Sequence, residues 1–314
     1  MDPDSVSARR LAAVAARVAP GARVAAIGGF AGGLSAQMTV LELAGGRRLV
    51  VRQLRDSGSE RRSLSLGDEF GLLLHLHERG LAVPPPLLYD DSGRIFDAPY
   101  AVFDYVDGAP RVETSDPLGT GRAIADQLAA VHRVELAAAG LPGAVLPRRT
   151  DLIGHRLADR PAETDEAMRE GFLRDLLAAR WPPPEPDRTV LLHGDFWAGN
   201  LLWRDDRIVA VIDWEEAATG DPLTDLATTR LDVLWAFGPL AMTAFTDHYL
   251  SLTQLPDATL ALWDLAAALR PAGAFSAWLA DWIDFGRLDM TASLMRERHG
   301  WFRDQALLAL ELSG

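Results

Sequence analysis

The chain has 314 residues, 48% of them hydrophobic, and a formal net charge of −13. Such a length can bury the cores of two lobes, while the acidity argues against a nucleic-acid surface and permits a cationic substrate. Cysteine is absent and all 31 basic residues are arginine, which excludes disulfide and thiol chemistry, a Walker-type P-loop and Schiff-base catalysis.

No apolar run approaches the ~20 residues that span a bilayer. A cytoplasmic protein is expected, monomeric or homodimeric, with neither membrane nor nucleic acid as partner. In chain order, the Ala-rich stretch 6–18 reads as a helix ended by Pro20-Gly21. Arg17 interrupts its apolar part, which separates it from a signal sequence and predicts packing on the smaller lobe. Strand-like runs at 23–27 and 37–43 flank Ile27-Gly28-Gly29-Phe30-Ala31-Gly32-Gly33-Leu34-Ser35-Ala36. Glycines there let the backbone approach a phosphate closely, although a glycine-rich hairpin without a ligand would look the same.

The next strand, 48–54, carries Arg52. Asp68 then reads as the N-cap of a helix over 68–77, in which Glu69 shares a face with Leu73 and Leu76. A carboxylate on an apolar stripe costs several kcal/mol unless it is paired, so an Arg52–Glu69 ion pair is expected. His75 and His77 read as surface side chains. Beyond Pro84-Pro85-Pro86, an apolar strand at 100–103 turns polar through Asp104, Tyr105, Val106, Asp107 and Gly108. Helical periodicity follows over 119–134, 166–180, 222–236 and 240–250, and in several segments after 258. A proline-rich connector at 181–187 leads into a further strand. All nine Trp lie beyond residue 180.

The densest chemistry is the block His193-Gly194-Asp195-Phe196-Trp197-Ala198-Gly199-Asn200 and its sequel to Ala227. With Asp205-Asp206 as the tip of a two-residue hairpin, 200–203 pairs with 208–212 and Asn200 faces Val211. Period-two alternation then puts Asp213 on the same face, diagonal to Asn200 at roughly 7–8 Å. A Mg²⁺ bridges such a gap with oxygen ligands at about 2.0–2.1 Å, using one or two carboxylates. Asp195 is left for other work. Asp221, ahead of Pro222 and a helical pattern, reads as a structural cap.

This block resembles the aminoglycoside phosphotransferase family of protein-kinase-like small-molecule kinases, whose pattern is H-G-D-x-x-x-x-N followed by a strand and I-D. The run Gly220-Asp221-Pro222-Leu223-Thr224-Asp225-Leu226-Ala227 is similar to one the family carries next. The resemblance implies Asp195 as catalytic base, His193 as a brace of its loop, and Asn200 and Asp213 as Mg²⁺ ligands. It assigns nucleotide contacts to Gly29, Phe30, Gly32, Gly33 and Ser35. Arg52 takes the place of the usual phosphate-pairing Lys, with Glu69 as its partner. Asp104, Tyr105 and Val106 would bind the base of ATP or GTP through main chain.

The implied fold is α+β, protein-kinase-like and bilobal. An N-terminal antiparallel sheet lobe with one main helix (1–103) binds nucleotide. A hinge (104–108) joins it to a larger, mostly helical C-terminal lobe (109–314). The implied activity is O-phosphorylation of a small-molecule hydroxyl, with an aminoglycoside-like antibiotic as the expected acceptor and a metabolic alcohol such as choline, homoserine or a sugar as the alternative. Glu215, Glu216, Asp281 and Trp282 are candidate acceptor contacts, although the spacing of Trp278 and Trp282 equally describes a core stripe. Only seven residues separate Asp213 from Asp221, too few for a peptide-docking activation segment. A catalytically silent nucleotide-binding scaffold is the third reading, for which only the Arg52 replacement speaks.

Overall fold

The computed structural model describes residues 6–29, 36–54, 64–136 and 146–312. The chain divides into two compact units, one of Met1–Asp107 with Val209–Glu216, the other of Gly108–Ile208 with Ala217–Gly314. The fold is kinase-like and α+β: an antiparallel sheet in the first unit, mostly helix in the second.

The first unit holds α1 (Val6–Val18), β1 (Val24–Gly29), β2 (Ala36–Leu43), β3 (Arg48–Leu54), α2 (Leu66–Glu78), β4 (Pro86–Asp90) and β5 (Tyr100–Asp104). Its strands form one antiparallel sheet in the order β1-β2-β3-β5-β4. Leu41, Leu43, Leu49 and Val51 alternate onto one face, where they bury Leu11, Val14 and Ala15 of α1 together with Phe96, Tyr100 and Val102. Arg17 closes that contact, ion-paired with Asp90 and donating to the Tyr100 hydroxyl at 3.1 Å. The residue that interrupts the apolar run is thus the one that docks the helix. The segment Val209–Glu216 belongs here through main chain: Val211 N–H donates to the Ala82 carbonyl at 2.7 Å and Leu64 N–H to that of Glu215 at 3.2 Å.

Two details of α2 differ from expectation. Its N-cap is Ser65, whose Oγ accepts from the Asp68 N–H at 3.1 Å, so Asp68 lies inside the first turn. His75 is buried rather than superficial, with Nδ1 2.8 Å from the Arg79 guanidinium, because the apolar face of α2 is wide enough to include it. Glu69 is 1% exposed and ion-paired with Arg52, which stands on β3 between Met38 and Ala101. The expected cross-link between sheet and helix is therefore present.

The second unit contains β6 (Ala109–Pro110), α3 (Pro117–His132), α4 (Arg149–Ala158), α5 (Glu170–Ala178), β7 (Val190–Leu192), β8 (Leu201–Arg204) and the start of β9 (Arg207–Val211). After it come β10 (Ala218–Gly220), α6 (Pro222–Phe237), α7 (Pro239–Thr253), α8 (Leu260–Leu269), α9 (Phe275–Asp284) and α10 (Ala292–Leu312). Helix α6 is buried along almost its whole length, and Asp221 caps it by accepting the Leu223 N–H at 2.9 Å, with Pro222 in the first position. Helix α3 lies so close to α7 that a Cβ on Gly121 would sit 2.5 Å from the Ala241 carbonyl oxygen, so only glycine fits. β7 pairs with β10, and β6, β8 and β9 form a three-stranded sheet. No helix among the described residues is long and apolar enough to cross a membrane.

Asp205 and Asp206 form the expected hairpin tip, with φ of 48° and 60° as a type I′ turn requires. The strands are shorter than the pattern suggests. Asn200 ends a 3₁₀ turn (Ala198–Asn200) ahead of β8, and β9 stops at Val211. Asp213 has φ 65°. Neither side chain is on a ladder, so strand alternation does not govern where they point.

Two outcomes follow from this packing. Glu69→Ala leaves Arg52 without its closest carboxylate and is expected to cost about 3 kcal/mol in a denaturant titration, the lower end for a broken buried pair because Glu215 and Asp213 remain. A loss under about 1 kcal/mol would show that the pair behaves as a surface one. Asp232 in α6 is raised to about 8 by burial, with Asp195 adding to the shift and Arg270 opposing it. Its unfolded-state value is about 3.9, so the stability held in its bound proton is full below that value and lost as pH rises to about 8. Asp232→Asn removes the dependence, and the melting temperature of the variant relative to the parent should climb between pH 5 and pH 8. A difference that stays flat with pH contradicts it.

Candidate active site

The loop between β7 and β8 is held by one carboxylate. Asp225, fully buried in α6, accepts the backbone N–H of His193 at 2.7 Å and of Gly194 at 3.1 Å, and lies 3.3 Å from His132 Nε2. Burial alone would raise its pKa, but the His132 hydrogen bond and the fields of His132, His193 and Arg149 outweigh that and hold it below the usual range. His132 is oriented in turn by the Tyr249 hydroxyl, 2.6 Å from Nδ1. Burial pushes that phenol up, so it stays neutral. Arg149 donates to the Gly194 carbonyl at 2.8 Å and Thr229 to that of Phe196 at 2.9 Å. Gly194 turns the chain at φ 86°, a conformation that a side chain would strain. His193 is wholly buried, stands edge-on to Phe196 at 5.6 Å and accepts the Asp195 N–H on Nδ1 at 3.2 Å.

These contacts leave the Asp195 side chain about one-third exposed. Its Oδ2 accepts from the Asn200 amide at 3.2 Å, and the same amide donates to the Asp195 carbonyl at 2.9 Å. Its Oδ1 accepts from Arg270 at 3.0 Å. Arg270 has no place in the local motif and was not anticipated; it arrives 75 residues later, at the end of α8. With its nitrogen committed to Asp195, Asn200 offers a carboxamide oxygen for other partners.

In the first unit Arg52 faces three carboxylates: Glu69, Glu215 at 3.1 Å and Asp213 at 3.6 Å. Glu215, a candidate acceptor contact, has its carboxylate turned to the guanidinium, because a buried cation on β3 draws the nearest acids. Glu216 is half-buried in the same segment. The N–H groups of Asp104 and Tyr105 donate to the carbonyls of Pro85 at 2.9 Å and Arg48 at 3.0 Å, so Val106 is the N–H candidate of the three. The Asp104 carboxylate is held by Arg47, and the Arg48 guanidinium lies 3.9 Å over the Tyr105 ring. Gly29 ends β1 opposite Thr39. Phe30, Gly32, Gly33 and Ser35 lie outside the described residues.

Back in the second unit, Trp282 is buried and edge-on to Trp197 at 5.2 Å, and Phe285 approaches Trp197 at the same distance. The pair Trp278 and Trp282 therefore divides, since Trp278 packs edge-on to Trp235 at 5.9 Å. Asp281 is exposed yet close enough to Asp195 for its field to matter: partial burial, Asp284 and Asp195 all raise the Asp281 pKa. Among the described residues no group of three or more His, Cys, Asp or Glu is gathered for a metal. Taken one at a time, the carboxamide oxygen of Asn200 in the second unit and the partly exposed carboxylate of Asp213 in the first are hard oxygen donors of the kind that Mg²⁺ takes.

Residues 26–263 match the phosphotransferase enzyme family. Among curated proteins the chain is 31% identical over 185 residues to acyl-CoA dehydrogenase family member 11 of Gallus gallus, covering 53% of this chain and 23% of that protein. It is 29% identical over 171 residues to a homoserine kinase of Brucella ovis, covering 50% of this chain and 49% of that one. The chain thus spans less than half the length of either relative. Among solved structures, a macrolide 2′-phosphotransferase type I superimposes with a TM-score of 0.64 at 20% identity, over 95% of this chain and 97% of that one, which speaks to the fold. The loop anchored on Asp225 and the match across the greater part of the chain agree: this protein belongs to the phosphotransferase enzyme family.

Proposed function

We propose that the protein is an ATP- or GTP-dependent O-phosphotransferase of a small-molecule hydroxyl, located in the cytoplasm. The observation that carries this is the clamped Asp195, an ionisable carboxylate with both oxygens oriented on a loop bolted to the helical core. Asp195 accepts the proton of the acceptor hydroxyl and aims its oxygen for in-line attack on the γ-phosphorus, while His193 braces the loop from beneath. Arg52, kept in place by Glu69, addresses nucleotide phosphate oxygens through its planar fork. Asn200 and Asp213 stand at the two motif positions that hold Mg²⁺, which when bound neutralises charge on the phosphates. Residues 1–103 serve nucleotide binding, 104–108 the hinge, with Val106 contacting the base, and 109–314 the acceptor.

Asp281, close to Asp195 and Asp284, together with the Trp197–Trp282–Phe285 corner, favours an amine-bearing acceptor of aminoglycoside type. A metabolic alcohol is the second reading, favoured by the identity to homoserine kinases. Purified protein with Mg²⁺ and ATP or GTP, assayed for nucleotide consumption against aminoglycosides, macrolides, choline, homoserine and sugars, decides between them. Asp195→Ala is expected to abolish turnover while nucleotide affinity measured by calorimetry changes little. Comparable turnover by that variant removes Asp195 from the mechanism. Chelation with EDTA should stop turnover and added Mg²⁺ restore it; turnover that persists in EDTA removes the metal. Nucleotide binding without turnover against every acceptor favours a silent scaffold.

A further inference from the structure

We propose that Arg270 is a positioning residue for Asp195, setting the plane of its carboxylate toward the acceptor hydroxyl; this rests on the function proposed above. Torsion about the last bond of an aspartate is soft, and a single donor such as Asn200 on Oδ2 leaves the carboxylate free to swing. A second donor on Oδ1, from a different element, removes that freedom. Each oxygen can accept more than one hydrogen bond, so the clamp does not block a substrate hydroxyl.

Arg270 is itself held on three sides. It closes the C-terminus of α8 in helical geometry, with its N–H bonded to the Ala267 carbonyl at 3.0 Å. Arg156 of α4 donates to the Arg270 carbonyl at 2.8 Å and satisfies one of the open carbonyls there. The guanidinium carbon lies 5.5 Å from the centre of the Trp278 ring, and Trp278 stands edge-on against Trp235 of buried α6. The Arg270 side chain is only 14% exposed, so solvent screens this ion pair far less than an ordinary surface one. In a loose phosphoryl-transfer transition state little covalent work falls to the protein and orientation dominates. The clamp therefore acts on turnover rather than on binding.

The test uses the full chain with Arg270→Ala, Arg270→Lys and Trp278→Leu, assayed with Mg²⁺ and ATP or GTP and the acceptor found active above. For Arg270→Ala, kcat should fall about 100-fold with KM for nucleotide and acceptor unchanged. Millimolar guanidinium should restore part of the loss, and Arg270→Lys should retain an intermediate rate because a point charge replaces the fork. Trp278→Leu should lie between the lysine variant and the parent. An unchanged kcat, or a loss matched by a fall in melting temperature and insensitive to guanidinium, overturns the proposal. Crystal structures of the parent and Arg270→Ala give a readout independent of turnover: the Asp195 carboxylate should rotate in the variant, and an unmoved carboxylate overturns the proposal. Should the parent consume no nucleotide with any acceptor, the proposed function fails, while the two crystal structures still decide whether Arg270 orients Asp195.

Discussion

A single buried carboxylate organises the second unit. Asp225 has no access to water, so its charge persists only while the N–H groups of His193 and Gly194 and the imidazole of His132 face it. That requirement pins the start of the loop to α6, and the remaining bonds follow. Thr229, four residues on along the same helix, takes the Phe196 carbonyl, and Arg149 takes that of Gly194. A loop tied by its own backbone has little freedom, which is what a group that must meet a reacting oxygen needs.

The first unit meets a related constraint with opposite sign. Arg52 is a buried guanidinium on a central strand, and burial disfavours its charge. Glu69, Asp213 and Glu215 outweigh that cost and keep the cation on β3. Arginine suits such a place better than lysine would, since its fork can engage several oxygens at once.

How far the sequence reads can be followed at particular residues. Glu69 on an apolar stripe forecasts its pairing with Arg52, because the cost of an unpaired buried charge is a local certainty. Asp205-Asp206 forecasts the hairpin, and Asp221-Pro222 the start of α6, because turns and caps are written in neighbouring residues. The misses share a different cause. Ser65 instead of Asp68 as N-cap, and the short strands that put Asn200 in a 3₁₀ turn, are shifts of a few residues at element ends, where local signals compete. His75 lies buried where a surface side chain is expected, and the neighbours of Glu215 and Trp282 are equally illegible locally, because these surroundings come from distant segments: the breadth of the α2 core, the charge on β3, and the ring of Trp197.

By itself the sequence determined the order of its parts, since periodicity and caps are short-range patterns, and it carried the kinase-like class through the family resemblance of the H-G-D-x-x-x-x-N block. It also determined that, histidine apart, arginine supplies every basic side chain that can face a carboxylate, for there is no lysine. Only the tertiary structure decided who holds Asp195. Arg270 lies 75 residues away, carries no motif, and reaches the carboxylate because α8 ends where the loop turns. Contacts of that range depend on how helices pack, and packing is a property of the whole chain.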